Sequence, residues 1–287
     1  MFLSMPEGSF FEPLFKEDAV GQNLFYQSSL PRDFVQCQLK LKDDMILSGL
    51  HYFFGAFKFL DHQAYLDNQK VWNEFFRQNE GTSIKKDDNI ILNFNLPFNV
   101  ALNGERIALN LLQRSSSIST FTNKFVSKAS EYGIKILDTR KTTPGLRDLE
   151  KYGVRLGGGF NHRFTQTDLW MIKDNHKSFF GGVEQAVDFF RKMNSMYKEI
   201  ELEIHDLNEL EKGLSLGIRH FMLDNFSPDE IKKAIEMKKP DCTFEVSGGV
   251  RLDTIERYLI KGIDAISVGS ITYGAPPVDL SLKYTRN

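Results

Sequence analysis

The 287-residue chain has only two cysteines, Cys37 and Cys242, far apart and in unrelated contexts. That excludes a disulfide framework and suggests no metal site; both are most simply reduced core thiols of a cytoplasmic protein. Long apolar runs are absent: the longest, from Leu50 to Leu60, is too short to span a bilayer and contains Lys58. The aromatic segment from Met1 to Phe15 carries Glu7 and Glu12 and no cationic run, so it is not expected to be a signal peptide. Neither sign of charge is in excess, with a formal net charge of -2 and an isoelectric point near 6.3. No nucleic-acid or membrane partner is therefore expected, and any anion binding must be local. Low-complexity sequence and long linkers are also lacking, which leaves a compact chain of enzyme size.

What is present is concentrated in one stretch. The run Asp138-Thr139-Arg140-Lys141-Thr142-Thr143-Pro144-Gly145-Leu146-Arg147 is followed by Gly157-Gly158-Gly159-Phe160-Asn161-His162-Arg163. It sets four fixed cations, Arg140, Lys141, Arg147 and Arg163, beside the titratable His162, and apolar segments flank it on both sides. Arginine forks bind planar carboxylates or phosphates bidentately, and lysine adds a compact point charge. The stretch therefore reads as a receptor for small polyanions. A basic surface loop is the bland alternative, and Pro144, the glycine triplet and the basic cluster downstream weigh against it.

The second half carries a rhythm that implies its architecture. Short apolar runs end at Glu203, Asp224, Ser247–Gly248 and Gly269, in steps of 21 to 23 residues. One strand, one helix and two short loops fit that step. The helical pattern from Pro228 to Met237 opens with Ser227 as N-cap and Glu230 at the third position. Strands alternating with helices imply parallel βα units in a closed or nearly closed barrel, whose chemistry sits at the carboxyl ends of the strands. Those ends carry Arg140, Lys141, Lys173, Glu203, Asp224, Ser247 and Gly269.

The glycine turns at Ser247-Gly248-Gly249, before a helix-like stretch from Leu252 to Leu259, and at Val268-Gly269-Ser270 offer backbone amides to a phosphate. Glu203 and Asp224 have several open roles: coordinating ribose hydroxyls, holding Mg²⁺ through water, stabilising a developing cation, or neutralising Lys141 and Lys173 in ion pairs. Asp174-Asn175-His176 lacks the ligand spacing of a zinc site, so no tightly held metal is expected. The first 115 residues lack the βα period and read as a separate α+β domain with strands over 35–41 and 89–96 and a helix over 63–77. Its closing helix, from Gly104 to Thr120, puts Ile107, Ala108, Leu111 and Leu112 on one face. Arg106, Asn110, Gln113 and Arg114 fall on the other, as either a solvated stripe or a face turned to a partner.

These motifs, with Lys173-Asp174-Asn175-His176 and Leu223-Asp224-Asn225-Phe226, make the chain resemble the quinolinate phosphoribosyltransferase family over roughly residues 90 to 283. Gly104 to Asn110, continuing through Ser119-Thr120, is similar to that family's domain-joining helix. Residues Phe25 to Asp33 depart from the acidic Gly-Asp segment usual near its N-terminus. The resemblance implies an α/β fold with an N-terminal α+β sandwich domain, residues 1–115 joined by 273–287, and an open or incomplete α/β barrel over 116–272. It implies transfer of ribose 5-phosphate from phosphoribosyl pyrophosphate to the ring nitrogen of quinolinate, with loss of pyrophosphate and carbon dioxide. The product is nicotinate mononucleotide, a precursor of NAD.

By the same resemblance, Thr139, Arg140, His162, Arg163 and Lys173 hold the quinolinate dianion, with Arg106 contributed by a neighbouring subunit. Lys141, Glu203 and Asp224 are the catalytic group, facing pyrophosphate and ribose. The amides around Ser247, Gly248, Gly249, Gly269 and Ser270 hold the 5-phosphate. Mg²⁺ arrives with the pyrophosphate rather than on dedicated ligands. The implied assembly is a homodimer with shared sites, or a hexamer built of such dimers. Two rivals share parts of this pattern. A related family linked to molybdenum transport has the Arg-Lys-Thr and glycine-triplet motifs but not Lys-Asp-Asn-His, and a non-catalytic phosphometabolite sensor has no need of Glu203 and Asp224 together with five cations.

Overall fold

The computed structural model describes residues 6–193 and 197–286; the expected domain limits at 1 and 287 lie outside them. In chain order the first elements are α1 (Gly8–Glu17), α2 (Leu24–Ser29), β1 (Phe34–Leu41), β2 (Met45–Ile46), α3 (Leu50–Leu60), α4 (His62–Asn79), β3 (Ser83–Ile84), β4 (Ile91–Pro97) and α5 (Phe98–Ala129). There follow β5 (Lys135–Leu137), α6 (Arg147–Leu156), β6 (Trp170–Ile172), α7 (Asp174–Phe180), α8 (Val183–Met193), β7 (Ile200–Ile204) and α9 (Leu207–Ser215). The chain closes with β8 (His220–Asp224), α10 (Pro228–Met237), β9 (Thr243–Ser247), β10 (Ala265–Ser267), α11 (Ser270–Tyr273) and β11 (Leu280–Arg286). Among the described residues no helix is long and apolar enough to cross a membrane.

The chain divides into two compact units: residues 1–121, 148–157 and 275–287, and residues 122–147 and 158–274. The first is built on an antiparallel sheet in the order β11-β1-β4. Alternating burial along β1 turns Cys37 and Leu39 inward, as expected of a half-buried strand. Trp72 of α4 packs flat on Phe54 of α3 at 4.7 Å and edge-on to Phe94 of β4 at 5.4 Å. This aromatic seam is the core of the unit.

The division differs from the one drawn on the sequence at three places: the join falls at 121/122 rather than 115/116, the closing segment begins at 275 rather than 273, and α6 changes sides. The join falls inside α5, which at 32 residues is longer than the expected helix over 104–120. Its serine-rich middle has modest helix propensity, but Ser48 satisfies it: the Ser48 amide donates to Ser116 Oγ, and the Ser48 hydroxyl meets those of Ser115 and Ser119. Helix α6 also belongs to the first unit. There Gly153 lies so close to α5 that a Cβ would stand 2.9 Å from the Ser115 carbonyl, and buried Glu150 accepts both Nε and Nη2 of Arg114.

The second unit is a six-stranded parallel sheet in the order β5-β10-β9-β8-β7-β6, with β5 and β6 as its two ends, so the α/β barrel is open. Helix α10 carries the cap read from the sequence: Ser227 Oγ accepts the Glu230 amide, and Glu230 Oε2 accepts the Ser227 amide at 2.8 Å. The stretch 252–259, read as helix-like, is only a short 3₁₀ turn over Ile255–Tyr258. There the Arg251 carbonyl accepts the amides of Thr254 and Ile255, and the Thr254 carbonyl accepts the Arg257 amide.

Candidate active site

Strand alternation builds the site. Side chains two apart on a strand share a face, so β6 and the residue after it project Met171 and Lys173 to one side. On the same face lie Glu201 and Glu203 of β7, Met222 and Asp224 of β8, Glu245 and Ser247 of β9, and Ser267 of β10. At the carboxyl ends of these strands opens a cavity of about 490 Å³. Nine residues singled out in the sequence line it: Thr139, Arg140 and Lys141 after β5; His162 and Arg163; then Lys173, Glu203, Asp224 and Ser247. Met171, Met222 and Ser267 form part of its wall and were not singled out. Gly248 directly follows Ser247, but Gly248, Gly249, Gly269 and Ser270 are not themselves in the lining, and Arg106 is exposed on α5 in the first unit.

The two loops that carry the cations are tied down. Asp138, fully buried at the end of β5, accepts the His162 amide at 2.9 Å and the Asn161 side chain at 2.5 Å. Thr139 Oγ1 accepts the Lys141 amide, and the Lys141 carbonyl accepts Thr272 Oγ1 at 2.7 Å. Arg163 donates to the carbonyls of Gln166 and Leu169. Burial and the neighbouring Arg140 charge pull the Arg163 guanidinium below its usual value.

The acidic side is partly neutralised within the chain. Lys173 Nζ pairs with Glu203 Oε2 at 2.5 Å, the ion-pair role that the sequence left open. Asp224 accepts Asn225 Nδ2 at 2.7 Å, and His205 Nδ1 lies 3.7 Å away. Asn225 is in the left-handed region with φ 59°, and its amide donates to the Ser247 carbonyl. Gly248, at φ 99°, is the counterpart of that interlock: a Cβ there would stand 2.2 Å from Asn225 Oδ1. Ser270 Oγ is buried with no hydrogen-bond partner among the described residues.

Two residue groups escaped the sequence reading. His205 continues the alternation of Glu201 and Glu203, and its Nε2 meets Asp174 Oδ1 at 2.6 Å. Beneath the mouth, His162 Nε2 lies 3.1 Å from Glu201 Oε2 and 3.5 Å from Glu245 Oε2. Burial opposes the charged ring, but the Glu201 contact and the Glu245 carboxylate outweigh it and hold the His162 pKa above its ordinary value. The signal that would have found Glu201 and Glu245 is their spacing of two from Glu203 and Ser247.

Both groups bring histidine and carboxylate ligand atoms within 4.8 Å of one another. Neither suits a resident Mg²⁺, which takes oxygen ligands octahedrally and keeps several waters. Each includes an imidazole. One is buried beneath the cavity, and in the other Asp174 and Glu203 are already engaged by His205 and Lys173.

A second cavity of about 690 Å³ shares Arg140, Arg163 and Lys173 and is otherwise largely aromatic, with Trp170, Phe179, Phe180, Phe189 and Phe190. The cations thus stand between a polar cavity and an aromatic one.

The family model for the quinolinate phosphoribosyl transferase C-terminal domain matches residues 118–283. A probable nicotinate-nucleotide pyrophosphorylase [carboxylating] of Bacillus subtilis is 33% identical over 276 residues, which cover 96% of this chain and 91% of that protein. The solved structure of NadC from Streptococcus pyogenes is 31% identical with a TM-score of 0.82, covering 98% of this chain and 100% of that one. The nicotinate-nucleotide pyrophosphorylase structure from Ehrlichia chaffeensis is 28% identical with a TM-score of 0.83, covering 99% and 100%. With more than half its length matched by that domain, and a relative alike from end to end, the chain belongs to the quinolinate phosphoribosyltransferase family.

Proposed function

We propose that this chain transfers ribose 5-phosphate from magnesium-bound phosphoribosyl pyrophosphate to quinolinate and decarboxylates the adduct to nicotinate mononucleotide, in de novo NAD biosynthesis. The observation that carries this is one cavity lined by Arg140, Lys141, Arg163 and Lys173 on one side and by Glu203 and Asp224 on the other. Cations in that number suit a dicarboxylate and a pyrophosphate; carboxylates beside them suit the positive charge that develops on ribose as the pyrophosphate departs.

In this reading Arg140, Arg163, Lys173 and His162, with Thr139, clamp the two quinolinate carboxylates and aim the ring nitrogen at the anomeric carbon. Lys141 meets the pyrophosphate. Glu203 and Asp224 face the ribose, and Glu203 must exchange its contact with Lys173 as quinolinate draws that lysine away. The turns at Ser247, Gly248, Gly249, Gly269 and Ser270 take the 5-phosphate; the unpartnered Ser270 hydroxyl supports that role, and the short helices that follow contribute little dipole. Metal enters as part of the substrate. Arg106 serves a neighbouring copy in a homodimer with shared sites: it is exposed on α5, whereas Ile107 and Ala108 beside it are buried.

The direct test is incubation with quinolinate, phosphoribosyl pyrophosphate and Mg²⁺, following nicotinate mononucleotide and carbon dioxide. No product under conditions where the protein is folded would overturn the proposal.

A further inference from the structure

The mouth of the cavity is basic, but its floor is not. Glu201 and Glu245 lie one strand layer below Glu203 and Ser247, and both are buried, at 4% and 8% exposure. Across from them stand His162 Nε2, at 3.1 and 3.5 Å, and Ser267 Oγ, which donates to Glu245. Lys173, from β6, adds a favourable charge at longer range. Among the described residues, buried Glu201 Oε2 has no hydrogen-bond partner beyond the ring contact. His162 Nδ1 accepts the Arg163 amide at 2.7 Å, so the ring carries its proton on Nε2, toward the carboxylates.

Two buried carboxylates beside one neutral imidazole are costly if both are ionised. The cluster therefore keeps a further proton. The carboxylates that hold His162 above its ordinary value and the burial that raises Glu245 concern one shared proton; with Nδ1 occupied by an amide it rests on Glu245, whose pKa burial first, and the Glu201 charge second, push up to about 8.

We propose that Glu201 and Glu245 are positioning residues that act through His162, retaining a proton under the anion cavity so that a dicarboxylate dianion binds together with it. This deepens the functional reading above and rests on it. Without the proton, a ligand bearing two negative charges would settle over two more. With it, the floor carries a single negative charge, and His162 keeps Nε2–H aimed at the carboxylates while its ring forms part of the cavity wall.

The sign follows from linkage. As pH rises through the Glu245 range, the free protein loses the proton while the complex keeps it, so binding takes up a proton and quinolinate affinity falls. One linked proton limits that fall to about tenfold per pH unit. The arginines and lysines of the clamp, with ordinary values above about 10, do not imitate it.

The test is calorimetric titration of quinolinate into the full chain from about pH 7 to about pH 9.5, across the range where a single linked proton is exchanged. Each pH is run in two buffers of different ionisation enthalpy. The expected result is uptake approaching one proton per site near and above about pH 8, with Kd rising about tenfold or more across the series. Glu245→Gln should abolish the uptake and flatten the pH profile. Glu201→Gln, which removes one of the two negative charges, should move the uptake to lower pH. Heats in the wild type that do not depend on the buffer overturn the inference, as does uptake unchanged in Glu245→Gln. If Glu245→Gln does not fold, the wild-type heats and Glu201→Gln decide by themselves. Absence of any quinolinate binding at neutral pH overturns the functional reading itself, whereas binding without proton uptake overturns this inference alone.

Discussion

Glu80 and His51 in the first unit, and Glu245 and His162 in the second, each pair a buried carboxylate with a buried imidazole. Glu80 accepts the amides of Gly49 and Leu50, at the start of α3, and the Tyr152 hydroxyl. His51 faces no second carboxylate among the described residues; burial pulls it down to about 4, and burial against those hydrogen bonds leaves Glu80 up at about 7. Neither lines the two cavities of the second unit. In the second unit the imidazole faces two carboxylates, one oxygen has no other partner among the described residues, and fixed cations line the same cavity. A buried carboxylate saturated by donors at a helix start anchors structure, because removing it strands those donors. A buried carboxylate short of donors, under a cavity, holds its environment ready for something that arrives. The two clusters should therefore respond to mutation in different observables.

The largest expected effect is at the mouth. Glu203→Gln and Asp224→Asn should each lower kcat by about 100-fold or more, while quinolinate affinity moves only severalfold, since their charges matter most in the transition state. Steady-state kinetics with separate binding measurements check this. Near-normal turnover in both folded variants would make them structural residues, as Glu80 is.

Next comes selectivity for the second carboxylate. Nicotinate, with one, should show kcat/KM lower by roughly 30-fold to several thousandfold, the cost of leaving a desolvated charge pair unmade at about 2–5 kcal/mol. Comparable values for nicotinate and quinolinate would remove the dicarboxylate assignment and, with it, the reason for a proton beneath the site.

A smaller signal sharpens the role of the first unit. If Arg106 serves a neighbour's cavity, inactive Arg106→Ala and Lys141→Ala chains should complement after subunit exchange. Random pairing of equal amounts restores about a quarter of wild-type activity, since half the dimers are mixed and one site in each is intact. Verified exchange without recovery confines each site to its own chain.

The smallest effect concerns pH and stability in the Glu80–His51 cluster. Glu80, raised from 4.5 to about 7, contributes stability that is lost as pH rises through that range. His51, lowered from 6.5 to about 4, contributes stability that is lost as pH falls. Between about 4.5 and about 6.5 the two slopes cancel, leaving this cluster's net contribution flat. Glu80→Gln should make stability rise with pH there, and His51→Gln should make it fall, each by up to about 1.4 kcal/mol per pH unit. Denaturant midpoints across that window measure it, and parallel slopes in the two variants would refute the assignment.

Much of the site was legible because its chemistry is local. Arg140, Lys141, His162 and Arg163 sit in one short stretch, and strand ends repeating every 21 to 23 residues aligned Glu203, Asp224 and Ser247 with it. Glu201, Glu245 and His205 were not found. Alternation puts each on the inner face, but which inner residues meet depends on the stagger between neighbouring strands, and no single strand contains that information.

Sequence alone determined the elements whose signals are periodic or chemically self-contained: the βα rhythm, the Ser227 cap, the cation motif and the alternation that gives a barrel its inside. Tertiary structure alone decided the rest. It satisfied the serine run of α5 through Ser48, placed α6 with the first unit, and lodged two glutamates against one histidine. The physical reason is common to all three: each outcome depends on groups distant in sequence, whose hydrogen bonds and desolvation outweigh local propensities of less than about 1 kcal/mol per residue.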